Sequence, residues 1–135
     1  MLVNPNAHFQ IVFKYAIVKN EKNEAIGITL LQDDFDGECE IFQGTFRPAN
    51  YEEMLSIRED CTVINHRNEK SVLLMKQFRS KVISSFCLSW NLLGPDGNPV
   101  PIKEQVIMNM FEHFVAEIFD RWEKIIGSAE TSMLE

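Results

Sequence analysis

Apolar and polar positions change their period near residue 47. Phe9 to Val18 is rich in Ile, Val, Phe and Tyr, and Ile26 to Leu31 and Glu40 to Phe46 repeat that bias. Between them, Asn20-Glu21-Lys22-Asn23 and Asp33-Asp34-Phe35-Asp36-Gly37 have the composition of turns, because Asn, Asp and Gly tolerate the backbone angles that reverse a chain. The pattern predicts a three-stranded antiparallel meander. In Glu40 to Phe46 the apolar side chains do not alternate cleanly, and Gly44 is the expected place for a bulge.

Beyond Arg47-Pro48 the spacing becomes helical. Asn50 followed by Glu53 is a capping box, in which the Asn oxygen accepts an orphan N–H and the Glu reaches back to the cap. Tyr51, Met54, Leu55, Ile57, Cys61 and Ile64 continue a helix over about 50–64. Asn68 is placed to cap a second, along which Met75, Phe78, Val82, Phe86 and Trp90 recur at three- and four-residue intervals. The third helix is predicted over about 103–126. Ile107, Phe111, Phe114, Ile118, Trp122 and Ile125 form one stripe, widened by Met108, Val115, Phe119 and Ile126, with Asn109, Glu112, Glu117 and Asp120 opposite. Ser128 to Glu135 reads as a polar, frayed tail.

Residues 89–102, Ser-Trp-Asn-Leu-Leu-Gly-Pro-Asp-Gly-Asn-Pro-Val-Pro-Ile, separate the last two helices. Proline presets φ at the second position of a turn over Gly94-Pro95-Asp96-Gly97, Asp96 suits the third, and Gly97 lets the chain leave with positive φ. Pro99 and Pro101 alternate with Val100 and Ile102, so both missing N–H donors fall on one edge of an extended segment and the other edge is free to pair. The segment predicts a small hairpin-like clip; an irregular helix–helix loop is the alternative.

The fold class is therefore α+β: a strand-rich head (1–47), a helical part (48–126) and a tail (127–135), expected as one domain of 135 residues. The net charge of −7 argues against nucleic acid, which needs a clustered basic surface. Lys70, Lys76, Arg79 and Lys81 are expected on a solvated helix face. The N-terminal stretch has no basic head or unbroken apolar run of a secretory signal, and no apolar window is long enough to span a bilayer. The three cysteines, Cys39, Cys61 and Cys87, are widely spaced, so they are expected as reduced, mostly buried thiols.

Candidate chemistry is sparse. With Gly37 as the sixth residue of a calcium loop, the first and twelfth positions are Gln32 and Gln43, where Asp and Glu are needed. Asp33 to Glu38 thus reads as a solvated acidic turn. His8, His66 and His113 lack the i, i+3 or i+4 spacing of paired ligands. His113 among Glu112, Glu117 and Asp120 would suit a proton carrier, but it has no companion nucleophile. No nucleophile elbow, dinucleotide fingerprint or phosphate loop occurs. No catalytic residue, metal, cofactor or small-molecule substrate is expected.

What remains is surface. Ten Phe and six Met are a heavy load of large apolar side chains, and Met repacks around varied partners. Trp90, Met108, Met110, Phe111, Phe114, Phe119 and Trp122 are the expected partner-binding residues, serving an amphipathic helix or self-association; burial of all of them in the domain's own core is the alternative.

Two motifs carry a resemblance. Trp90-Asn91-Leu92-Leu93-Gly94-Pro95-Asp96-Gly97-Asn98-Pro99-Val100-Pro101-Ile102 resembles the segment between a Trp-ended helix and the final helix in tail assembly chaperones of long-tailed bacteriophages. Phe46-Arg47-Pro48-Ala49-Asn50-Tyr51-Glu52-Glu53-Met54 resembles the entry to their first helix. The likeness spans about residues 44–126. The first 40 residues are outside it, and Lys103-Glu104 lacks the expected Ser or Thr cap. The resemblance implies a non-enzymatic factor in the host cytoplasm that binds the tape measure protein and helps recruit tail tube subunits. A minor tail or connector protein kept in the virion is the alternative.

Overall fold

The computed structural model describes residues 1–127; the tail expected over 128–135 lies outside the described residues. The chain forms β1 (Phe9–Lys19), β2 (Ala25–Leu30), β3 (Glu40–Phe46), α1 (Tyr51–Asp60), β4 (Thr62–Asn65), β5 (Lys70–Leu73), α2 (Met75–Phe86), β6 (Cys87–Trp90), α3 (Glu104–Ile107) and α4 (Glu112–Ile126). It is an α+β fold. The main sheet is antiparallel and four-stranded, ordered β2-β1-β3-β6, and β4 pairs with β5 in a separate hairpin.

Alternation along β1 and β3 separates the two faces of the main sheet. Ile11, Phe13, Phe42 and Phe46 are buried, while Val12, Ile41 and Gln43 between them are exposed. The buried side chains meet Phe78, Val82, Ile83 and Phe86 of α2 and Phe114, Val115, Ile118, Phe119 and Trp122 of α4 in one apolar cluster. Aromatic contacts knit the layers together: Phe114 stands edge-on to Phe13 and Phe42, each at 5.5 Å, and Trp122 stacks on Phe86 at 5.4 Å.

The three expected strands are present, as is the capping box: Glu53 N–H donates to Asn50 Oδ1 at 2.8 Å and Asn50 N–H to Glu53 Oε1 at 3.2 Å. Arg47, just before the helix, clamps the same carboxylate through Nη2 at 2.7 Å and lies over the Phe86 ring at 4.7 Å.

Several expectations need correction. The expected meander does not form, since β1 lies between β2 and β3 and β3 pairs with β1 rather than with β2, and the sheet has a fourth strand because the second helix stops at Phe86 and the chain re-enters beside β3. Trp90, expected on a helical stripe, stands on β6 opposite Gly44. The first helix ends at Asp60, and 62–73 is a hairpin in which Val63 faces Val72. Asn68 serves its turn, accepting from Lys70 N–H at 3.0 Å, and caps no helix. The third helix is broken into α3 and α4 at residues 108–111. Ile107 and Phe114 both stay in the core across that corner, while Phe111 swings outward to 40% exposure.

Gly44 marks no bulge in the β1–β3 ladder, whose register runs unbroken through Ile11 opposite Gly44; the irregularity lies between Thr45 and Phe46 on the β6 side. A Cβ at Gly44 would sit 2.8 Å from the Phe46 ring and 3.0 Å from the Phe42 ring. The glycine makes room for two core aromatics on its own strand.

Candidate partner-binding surface

The clip is a formed element. Gly97 N–H donates to the Gly94 carbonyl at 2.9 Å, Gly94 N–H to Asn98 O at 2.8 Å, and Val100 N–H to Leu92 O at 2.9 Å. Gly97 holds φ of +80°, the angle its position demands. Asp96 accepts from the backbone N–H and side-chain amide of Asn98, and these bonds hold its carboxyl below its ordinary range. Trp90 anchors the clip from beneath, donating its indole N–H to Val100 O at 2.8 Å. Asn91 fastens the entry to β3, accepting from Gln43 N–H at 3.0 Å and donating to Ile41 O at 2.7 Å.

The clip and the α3–α4 corner wall a groove whose floor is the helix-side face of the β1–β2 hairpin. Leu92, Leu93, Pro95 and Val100 come from the clip, Met110 and Phe111 from the corner, and Tyr15, Ile17 and Ile28 from the sheet; it encloses about 500 Å³. α4 reaches β1 and β2 but covers β2 only in part: Gly27 and Ile28 are half-buried, while Ile26 stays 59% exposed. Leu93 is 65% exposed, and Ile17, Leu30 and Phe111 are each close to 40%. Exposed apolar side chains gathered in one concavity mark an interaction surface, whereas scattered ones do not. Burial, then the nearby Glu40 carboxylate, raises the Tyr15 phenol above its ordinary value, so it stays a hydroxyl at neutral pH.

The structure divides the sequence-predicted set. Phe114, Phe119 and Trp122 are buried at 6, 3 and 1% exposure and hold the two layers together. Phe111 is exposed in the groove, and Met110 and Trp90 are half-buried, the first in its wall and the second beneath the clip. Met108 is half-buried elsewhere. It lines a separate cleft of about 290 Å³ between α2 and the α3–α4 corner, with Met75, Lys76, Arg79 and Met110. The sheet-side groove residues Tyr15, Ile17 and Ile28 are absent from the sequence-predicted set. Nothing in a strand's own alternation tells whether its inner face will be covered, so the signal for them lies only in tertiary packing.

Several polar groups elsewhere are tied into structural bonds, whereas the buried Arg79 Nε has no hydrogen-bond partner among the described residues. Arg121 donates through Nε to Glu117 at 2.6 Å, through Nη1 to Val12 O at 3.0 Å and through Nη2 to Asp33 at 3.1 Å, and lies over the Phe13 ring at 5.4 Å. Cys61 and Cys87 are buried, Cys39 partly so, and all are free thiols. Burial pushes the Cys87 thiol up to about 12, so it is inert as a nucleophile at neutral pH. Among the described residues no three His, Cys, Asp or Glu side chains gather as a metal site, and no helix is long and apolar enough to cross a membrane. His8, His66 and His113 lie exposed and apart in the chain. No protein-family model matches the chain, and no curated protein and no solved structure matches it.

Proposed function

We propose that this protein is a non-enzymatic tail assembly chaperone of a long-tailed bacteriophage, acting in the host cytoplasm to bind the tape measure protein and to help recruit tail tube subunits. The observation that carries the binding role is the open apolar groove between the clip and the partly covered β1–β2 hairpin, on a chain of net charge −7. Such a groove accepts the apolar stripe of an amphipathic helix. The acidic surface then keeps the complex dispersed, because like-charged particles repel. The step from binding protein to tail chaperone rests on the two sequence motifs around Arg47-Pro48 and Trp90 to Ile102.

The test is co-expression with the tape measure protein of the same phage. The expected result is higher soluble yield of the long helical partner and co-elution with it. Leu93→Asp and Phe111→Asp, both on exposed groove positions, should abolish co-elution while the variants stay folded. Absence of any solubility gain and of any complex with the unaltered chain would refute the proposal.

A further inference from the structure

An antiparallel sheet must terminate somewhere, and its bare N–H and C=O groups invite another strand unless something blocks them. Three flanks of the main sheet are open, and two carry a block. β6 is only four residues long and meets β3 across a bulge. The first half of β1 lies beyond the end of β2, which stops at Leu30 opposite Tyr15; there Arg121 caps the free Val12 carbonyl, and Lys124 and Ile125 stand along the same flank. β2 differs.

β2 reads Ala-Ile-Gly-Ile-Thr-Leu, with no charge and no proline. Its one irregularity is the register shift beside Ile26 at the hairpin end. From Gly27 to Leu30 the strand is regular. Leu31 N–H donates to Lys14 O at 3.0 Å, so by antiparallel alternation Gly27 and Thr29 also turn their backbone groups toward β1. Ile28 and Leu30 therefore point theirs to the open side. Ile26 and Leu30 are 59 and 40% exposed on the same edge.

We propose that a second copy of this chain occupies this edge, pairing β2 with β2 antiparallel about a two-fold axis into a continuous eight-stranded sheet. Self-pairing is favoured over a foreign strand by the strand's composition and its flanks. An uncharged strand offers no charge pattern by which to select a different partner, and across a two-fold axis it meets only its own uncharged residues. Antiparallel pairing also sets the start of one strand beside the end of the other. Lys22, in the turn before β2, then approaches the acidic turn of the partner copy, where Asp34 and Asp36 stand without an ion-pair partner among the described residues. Ile28 lies at the seam and, with Ile17 beside it on β1, in the groove at once, so the dimer carries two grooves on one face of the shared sheet. The seam is small, and association is weak and concentration-dependent.

Sedimentation velocity on the purified chain tests this without any phage partner, so its outcome is separate from that of the tail assembly role. The mass should rise from 15.6 kDa toward twice that value as concentration increases. Hydrogen exchange should show the Ile28 and Leu30 amides protected in the dimer and open in the monomer. Leu30→Lys, at a position where a lysine is tolerated in a single chain, should hold the protein monomeric with an unchanged circular dichroism spectrum. Ile41→Lys, on the opposite sheet face and 47% exposed, should leave the dimer intact. A monomer at every concentration, a dimer whose Ile28 and Leu30 amides stay open, or a dimer that survives Leu30→Lys would each overturn the proposal.

Discussion

Single atoms decide several positions. Gly44 is fixed by space rather than by backbone freedom, since a Cβ there would press into the Phe42 and Phe46 rings. Gly44→Val should lower stability by about 1–3 kcal/mol, the range for overpacking, seen as a lower urea midpoint with unchanged slope. Gly27 is a control on the same sheet. Nothing lies within 4 Å of its would-be Cβ, and Gly27→Ala should change stability by no more than about 0.5 kcal/mol. A similar contrast separates two phenylalanines three positions apart. Phe114→Ala empties a site among Phe13, Tyr15 and Phe42 and should cost about 3–5 kcal/mol. Phe111→Asp replaces an exposed ring in the groove and should leave stability within about 0.5 kcal/mol of the parent, while removing partner binding. Both readings follow from burial, which the helical spacing that unites these residues does not reveal.

At the scale of elements, the entry to α1 is the best-determined local structure. Asn50, Glu53 and Arg47 form a closed set of hydrogen bonds, and the Arg47 guanidinium, with the Asn50 N–H, holds the Glu53 carboxyl below its ordinary value. A depressed folded-state pKa adds stability above the unfolded value, and that stability is lost as pH falls through the folded one. The parent should therefore exceed Glu53→Gln by about 1 kcal/mol at pH 7, the upper end for a partly exposed pair. Chemical denaturation at a series of pH values should show the two converging below the carboxylate range, about pH 4. This entry was legible in the sequence because all of its chemistry is local. The three strands were legible too, since β-branched runs between Asn- and Asp-rich turns have few other solutions. The β4–β5 hairpin was hidden because Ile57, Cys61 and Ile64 continue a helical spacing past the true end of α1. Its signal was the pair Val63-Ile64 and Val72-Leu73 around Asn65-His66-Arg67-Asn68, where Glu69 takes a positive φ of 57°. Trp90 leaves the helix its spacing predicts for a related reason: Phe86 and Trp90 are four apart, as on a helix, but the hydrogen bond from Arg47 N–H to Phe86 O begins a strand.

Across the whole molecule, β6 decides what the clip can do. If α2 continued to Trp90, the clip would be a loop between two helices, free of the sheet. Because the chain returns to pair with β3 first, Trp90 lands opposite Gly44 and edge-on to Phe42 at 6.4 Å, and its indole N–H holds Val100 from the core side. The groove thus has one wall fixed to the sheet through the side chains of Trp90 and Asn91, a long-range arrangement that the turn motif of 94–97 does not reveal. Trp90→Phe keeps most of the ring's contact with Phe42 and leaves the half-buried Val100 carbonyl without its donor. The expected loss is about 1 kcal/mol of stability, the net value of one such bond. If the same energy is felt in holding the clip against a bound helix, partner affinity falls roughly fivefold. Isothermal titration with a partner helix, beside thermal unfolding, separates the two effects. A variant that loses stability but binds as tightly as the parent would mean that the partner bypasses the clip and rests on the sheet and the α3–α4 corner alone.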